Sequence, residues 1–395
     1  MPRRFVSAVV TLFVLVGGSL RAEDAFFPLM AWDGPPNDPA VLQRMRECGL
    51  TVAGFVAPAG LDNCQAAGLK AIVSDARVSG YDWTKVDAET ARKQVTELVS
   101  EVRDHPAVFG YNLRDEPTAG FFPGLATVAK VVKEQHPGTW PYINLFPNYA
   151  VPGQLGTPDY DSYLERFVET CAPPILCYDH YALLEGGGLR GGYFANLEAV
   201  RRAGLKHDLP FWNIVLTAAH FNYREPTAAD LRFQVYTSLA YGGKGIGYFK
   251  YFTPAIGNFR HGPIDQFGHE TASWTDLRAV NLQVAKLAPT LLALKSDAVY
   301  HFGDLPEGAT AATGDALVKA IGGPMLVGDF THSDGTRYVL IVNKDVTKSA
   351  PCQPAFRTPV SKLDLVSPYS GQAVPFTGEQ IWLAPGQGHL LKLSK

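Results

Sequence analysis

The sequence predicts a (β/α)8 (TIM) barrel followed by a small all-β sandwich, and three observations carry that prediction. Short apolar strands alternate strictly with segments of helical periodicity from Phe26 onward. Eight such units fit about 270 residues, the usual length of a closed barrel. Past Ser296 the pattern changes to short strands divided by Gly, Pro, Asp and Ser. A doubly wound open sheet is the competing architecture, but no strand runs into a G-x-G-x-x-G or G-x-x-x-x-G-K-[ST] turn. The predicted division is a leader over residues 1–22, a barrel over 23–295 and a sandwich over 296–395.

The eight barrel strands are read at Phe27–Asp33, Val52–Ala57, Ala71–Asp75, Val108–Glu116, Pro141–Asn148, Ile175–Tyr181, Phe211–Thr217 and Gly245–Phe252. Helical periodicity is read at Ala88–Asp104, Gly124–Gln135, Tyr160–Thr170, Tyr193–Ala203, Ala228–Tyr241 and Thr275–Leu294. The sandwich strands are read at Leu317–Ile321, Met325–Thr331, Arg337–Asn343, Lys362–Leu365 and Gly388–Leu393. Arg3 and Arg4 precede an apolar run from Phe5 to Val16, then small residues up to Ala22, the layout of a secretory signal peptide. The expected location is therefore secreted or periplasmic. No later run of about 18 apolar residues predicts membrane insertion after cleavage.

The 395 residues carry a formal net charge of −3, with 46% hydrophobic and 18% charged residues, which argues against nucleic acid as a partner and against disorder. The five cysteines, Cys48, Cys64, Cys171, Cys177 and Cys352, form no close pair that suits zinc or redox chemistry. A Cys48–Cys64 disulfide and buried free thiols are both compatible with that spacing. No metal and no cofactor is expected.

In a barrel of this kind the chemistry sits at the C-terminal strand ends. The fourth strand ends in Asn112-Leu113-Arg114-Asp115-Glu116-Pro117. Strict alternation sends Phe109, Tyr111 and Leu113 outward, to pack under the helices, and turns Asn112, Arg114 and Glu116 into the barrel, with Asp115 on the opposite parity. Polar groups aimed into a barrel are costly unless they line a solvated site, so Glu116 is the leading catalytic candidate. Asn112 and Arg114 are then expected to bind substrate or tune the carboxyl. Other strand ends add Trp32 and Asp33, Asn144, Tyr178, Asp179, His180 and Tyr181, His220, and Lys250 with Tyr251. Aromatic faces mixed with hydroxyl-binding side chains suit sugar rings, so a carbohydrate is the expected substrate.

These motifs, together with the run Tyr223-Arg224-Glu225-Pro226-Thr227 through Ala240-Tyr241-Gly242-Gly243-Lys244-Gly245-Ile246-Gly247-Tyr248-Phe249, resemble the clan of (β/α)8 glycoside hydrolases, nearest its family 42-like branch. The resemblance implies that Glu116, in the place of the clan's Asn-Glu-Pro glutamate, is the general acid/base. Asp115 replaces the Asn that commonly binds the sugar 2-hydroxyl. The clan's second carboxylate stands at the end of the seventh strand, where this chain has Leu216-Thr217. Asp179, then Glu270, then Glu225 are the candidates to replace it, Glu225 doubling as a helix-start residue before Thr227 and Asp230. Three functions follow: an exported glycoside hydrolase, a non-catalytic carbohydrate-binding protein on a degenerate barrel, and a lyase using His180, His220 and Tyr181.

Overall fold

The computed structural model describes residues 26–377 and 381–394; the expected leader over residues 1–22 lies outside the described residues. Eight parallel strands run in the order β5-β4-β3-β2-β1-β8-β7-β6. They are β1 (Leu29–Ala31), β2 (Val52–Val56), β3 (Lys70–Val73), β4 (Val108–Asp115), β5 (Trp140–Asn144), β6 (Leu176–Asp179), β7 (Phe211–Leu216) and β8 (Gly245–Phe249). The two outer strands meet where Leu145 pairs with Tyr178 and the Leu145 N–H donates to the Cys177 carbonyl at 2.8 Å, so the sheet closes into a barrel. Around it lie α1 (Pro39–Glu47), α2 (Leu61–Ala66), α3 (Ala76–Ser79), α4 (Ala88–Val102), α5 (Phe122–Gln135), α6 (Pro152–Leu155), α7 (Tyr160–Cys171), α8 (Tyr193–His207), α9 (Ala228–Ala240) and α10 (Ala272–Ala293).

Local chemistry sets these helix starts. Asp38, Asp87 and Asp159 each accept hydrogen bonds from backbone N–H groups in the first turn of α1, α4 and α7. Each thereby satisfies a donor that the helix itself leaves unpaired. Thr227 and Asp230 form a reciprocal capping box on α9, as the Pro226-Thr227 sequence predicts.

Inside the barrel, Met30, Val52, Ile72, Tyr142, Cys177, Trp212 and Ile214 pack with Phe109 and Trp140. Trp212 lies against Gly245, whose Cβ position its indole already fills. Any side chain at 245 overpacks this layer, and Gly245→Ala is expected to cost about 1–3 kcal/mol in a denaturant titration.

The chain passes from α10 straight into β9 (Leu294–His301). There follow β10 (Val318–Ala320), β11 (Met325–His332), β12 (Arg337–Asn343), β13 (Ala350–Pro351), β14 (Ala355–Phe356), β15 (Lys362–Val366), β16 (Ala373–Pro375), β17 (Trp382–Leu383) and β18 (Gly388–Ser394). Six of them form one antiparallel sheet, β16-β15-β18-β12-β11-β9; β10–β14 and β13–β17 are two-stranded ladders. Alternation divides the large sheet's side chains between two cores. Leu326, Phe330, Leu340 and Leu390 join the barrel's outer core, and Val327, Val339, Ile341 and Leu391 pack with Val318, Cys352 and Leu383.

Helix α9 lies between the barrel and this sheet. Gln234 bonds both the N–H and the carbonyl of Leu216 on β7, each at 3.0 Å, while Gly328 and Gly388 let the sheet close on Ala240 and Tyr236. Burial on both sides explains why α9 has no polar stripe. All five cysteines are buried free thiols, so Cys48 and Cys64 are not bonded to each other. Among the described residues no helix is long and apolar enough to cross a membrane.

Candidate active site

Two irregularities in β4 build the site. Ala71 and Ile72 of β3 face Val108 and Gly110, which leaves Phe109 as an extra residue; Tyr142 and Ile143 of β5 face Asn112 and Arg114, which leaves Leu113 extra. Each bulge reverses the side-chain parity beyond it. Phe109 therefore turns into the barrel, stacked on Trp212 with ring planes 6° apart, while Tyr111 and Leu113 pack outward. After the second bulge Arg114 pairs with outward-facing Ile143, and its guanidinium lies over the Phe121 ring at 5.7 Å. This corrects the expectations that Phe109 packs outward under the helices and that Arg114 points into the barrel. It equally corrects the parity of Asp115, which pairs with Asn144 and joins the interior polar group.

Alternation would then send Glu116 outward. Its backbone instead takes a φ of 42°, so the consecutive carboxyls of Asp115 and Glu116 both enter one cluster. A non-glycine residue in this conformation is strained, and such strain collects at functional sites.

Asn144 Nδ2 donates to Asp115 Oδ1 and to Asp179 Oδ1, both at 2.9 Å. Asp179 in turn shares a hydrogen bond with Glu116. Asp179 is 3% exposed, beneath the mouth, whereas Asp115 stands open to it and Glu116 lies between. The Asn144 side-chain oxygen Oδ1 is buried and accepts no hydrogen bond, whereas its backbone carbonyl accepts from the Glu116 N–H at 2.9 Å. Burial first, and then the charge of Asp115, push the Glu116 carboxyl up to about 7, against the hydrogen bond from Asp179. Burial and then Glu116 hold Asp179 well above the ordinary carboxylate range, so Asp179 keeps its proton and donates it to Glu116. Asp115 is also raised, by the protein walls around its carboxyl, with Asn144 and Arg114 opposing.

Aromatic walls surround this cluster. Tyr181 stacks on Phe249 at 5.0 Å, with His220 and Tyr223 edge-on to it. Trp32 meets Phe55 edge-on and Phe249 at 5.5 Å, and its indole N–H is buried without a partner. His220 lies parallel to Phe259 at 4.9 Å, and burial lowers its pKa, so it is neutral. Arg190 lies over Tyr149 at 4.3 Å and donates to the Tyr223 hydroxyl at 2.9 Å. Asn112 is half-buried opposite Tyr142, on the interior face as expected.

Other expected site residues lie elsewhere. Tyr178 has the opposite parity to Asp179 and is buried under the helices. Tyr251 is buried too, its hydroxyl accepting from Trp274 Nε1 at 2.9 Å. His180 is wholly buried, with Nδ1 3.0 Å from Asn196 Oδ1 and Tyr149 against its ring. Asp33 and Lys250 form an ion pair at 2.9 Å, and Asp33 also accepts from the Tyr251 and Phe252 N–H groups. That pair is an internal tie at the barrel rim. It borders a groove of about 420 Å³ that runs past Arg44 to Asp265. A larger cavity of about 480 Å³ opens at the opposite barrel end, beside Pro210 and Leu294, away from the carboxyls.

Of the proposed second carboxylates, only Asp179 reaches Glu116. Glu270 pairs with Arg44 of α1 at 3.3 Å, and Glu225 pairs with Arg260 at 3.2 Å and His261 at 3.1 Å. Asp115, Tyr149, Arg190, Tyr223 and Phe249 were missed as site residues from sequence. Phe249 alone was within reach of strand alternation, two residues before Tyr251. Among the described residues no cluster of His, Cys, Asp and Glu is arranged to hold a metal.

No family model matches this chain, nor does any curated protein. Solved structures do resemble it. A glycoside hydrolase family 5 protein from Bacteroides vulgatus superposes with a TM-score of 0.59 at 11% identity, over 94% of this chain and 89% of that one. A protein described as a glycoside hydrolase gives 0.57 at 10% identity, over 94% and 93%. A β-galactosidase from the psychrophilic Marinomonas ef1 gives 0.51 at 12% identity over 66% of this chain, which spans 60% of that enzyme. At such identities the likeness establishes the architecture: a (β/α)8 barrel with an antiparallel C-terminal sheet.

Proposed function

We propose that this chain is a glycoside hydrolase that cleaves O-glycosidic bonds of a poly- or oligosaccharide, with Glu116 as general acid/base. One observation carries the reading: a carboxyl pushed up to about 7 stands at the aromatic-lined mouth of a barrel. Such a group is protonated near neutrality yet acidic enough to give its proton to a leaving oxygen, then take one from water. Structural neighbours that are glycoside hydrolases support the reading. So does the likeness of the β4 and β6 motifs to the family 42-like branch. In this reading Asp179 is a positioning residue, buried and hydrogen-bonded to the Glu116 carboxyl. Export, through the expected leader over residues 1–22, belongs to the same proposal.

The acid role fixes the sign of the pH dependence. Glu116 must carry its proton to act, so kcat/KM on glycosides is expected to fall as pH rises through about 7. A profile flat from pH 6 to 9 would contradict the assignment.

A second reading, a carbohydrate-binding protein without turnover, is favoured by one observation: β7 ends in Leu216 and Thr217, and neither Glu225 nor Glu270 takes the place of its carboxylate. A broad panel of glycans, assayed for new reducing ends and by calorimetry, separates the two. Release of reducing ends supports hydrolysis; binding without release supports the second reading.

A further inference from the structure

Hydrolysis with two protein carboxyls needs them on either side of the scissile bond, about 5–5.5 Å apart for retention or about 6.5–9.5 Å for inversion. The closest pair here fits neither geometry, because Glu116 and Asp179 are hydrogen-bonded to one another and Asp179 is buried below the mouth. Glu225 and Glu270 are held in ion pairs by Arg260 and Arg44. What remains beside the acid is Asp115, the very next residue, which a bulge and a left-handed Glu116 bring into the same cluster. One oxygen of Asp115 is fixed by Asn144 Nδ2 at 2.9 Å, and the side chain is open to the mouth. Either an N–H or an O–H of a ligand can donate to this carboxylate; of the common 2-substituents of sugars, an acylamino group also brings an oxygen that can reach C1, which a hydroxyl does not.

We infer, resting on the glycosidase reading above, that the sugar cleaved by this enzyme carries a 2-acetamido group, and that its carbonyl oxygen is the nucleophile the protein lacks. Glu116 gives its proton to the glycosidic oxygen as the C1–O bond breaks, and the electron pair leaves with the alcohol. The acetamido oxygen bonds to C1 and closes a five-membered oxazolinium ring, whose N–H⁺ is held by the Asp115 carboxylate. Water then attacks C1 while Glu116 takes its proton; the C1–O bond of the ring opens, its electron pair restores the amide, and configuration is retained. Back-side attack requires the leaving group trans to the 2-substituent, so gluco- and galacto-configured substrates must be β-linked. Trp32, Tyr181 and Phe249 provide the apolar wall for the acetamido methyl and the sugar face.

The test compares 4-methylumbelliferyl β-glycosides that differ only at C2, acetamido against hydroxyl, in both the gluco and galacto series, on the wild-type protein. The acetamido member is expected to turn over at least about 100-fold faster, and successive fluorination of its acetyl group should slow it stepwise, since each fluorine weakens the internal nucleophile. Asp115→Ala should lose about 100-fold or more on acetamido substrates, with its fluorination dependence altered. Equal or faster cleavage of the 2-hydroxy glycosides, or a covalent adduct from a 2-deoxy-2-fluoro glycoside, overturns the inference and leaves the glycosidase reading standing. Absence of turnover on every member, with binding retained, overturns both.

Discussion

Glu116→Gln is expected to lower kcat/KM by about 10³-fold or more on glycosides with poor leaving groups, without loss of fold. The amide keeps the size and the hydrogen-bonding oxygen of the carboxyl but has no proton to give, and acid/base groups of this kind contribute about 10²–10⁴-fold. Stability should move the other way. The native Glu116 carboxyl sits at about 7, against 4.5 for an ordinary glutamate. The folded protein therefore binds the proton more tightly than the unfolded chain. That contribution is fully present below 4.5 and is lost as pH rises through 7. Above pH 7 the wild type carries an unfavourable buried charge that the glutamine variant lacks. Allowing for solvent screening at a half-open site, the difference is about 1–2 kcal/mol, or about 1–3 °C in thermal midpoint at pH 8. A variant that is both inactive and less stable at pH 8 would point to a structural role instead.

Asp179 gives the second large effect, and here two substitutions must diverge. In the native protein Asp179 is a protonated donor to Glu116, as its strongly raised pKa and its burial require. Asp179→Asn supplies an N–H in nearly the same place and still accepts from Asn144, so activity should remain within about tenfold of wild type. Asp179→Ala removes the donor, leaves Asn144 Nδ2 with one carboxylate fewer, and opens a cavity beneath the acid. A loss of about 10²-fold or more follows, with the pH limb moved upward because Glu116 no longer has the hydrogen bond that lowers it. If Asp179 were itself the nucleophile or base, asparagine would abolish activity as completely as alanine.

The barrel was legible because its signal is redundant: eight strand–helix repeats, capped helices and one change of pattern near Ser296. Asp179 and Asn144 were found because β5 and β6 alternate regularly up to their ends, where Asn144 faces inward between outward Ile143 and Leu145. The same rule applied to β6 would have removed Tyr178. β4 defeated alternation, since its two extra residues leave no mark in composition. A parity count that begins at Phe109 misplaces Phe109 itself, Arg114 and Asp115 while still selecting Glu116, which a left-handed backbone returns to the site. Strand β9 was hidden differently. Leu294-Lys295-Ser296-Asp297 begins it with little apolar alternation, and a register shift against β11 lies between Ser296 and Ala298. Tyr149, Arg190 and Tyr223 lie between regular elements, and only the folded chain brings them together around the mouth.

The most direct test of Glu116 as the acid uses the leaving group. Wild type and Glu116→Gln should be compared on aryl glycosides of one sugar whose phenols range from 2,4-dinitrophenol to unsubstituted phenol. A good leaving group departs without a proton, so the variant's deficit should shrink from about 10³-fold for phenol to within about tenfold for dinitrophenol. The same deficit across the whole series would contradict proton donation by Glu116, and with it the central claim.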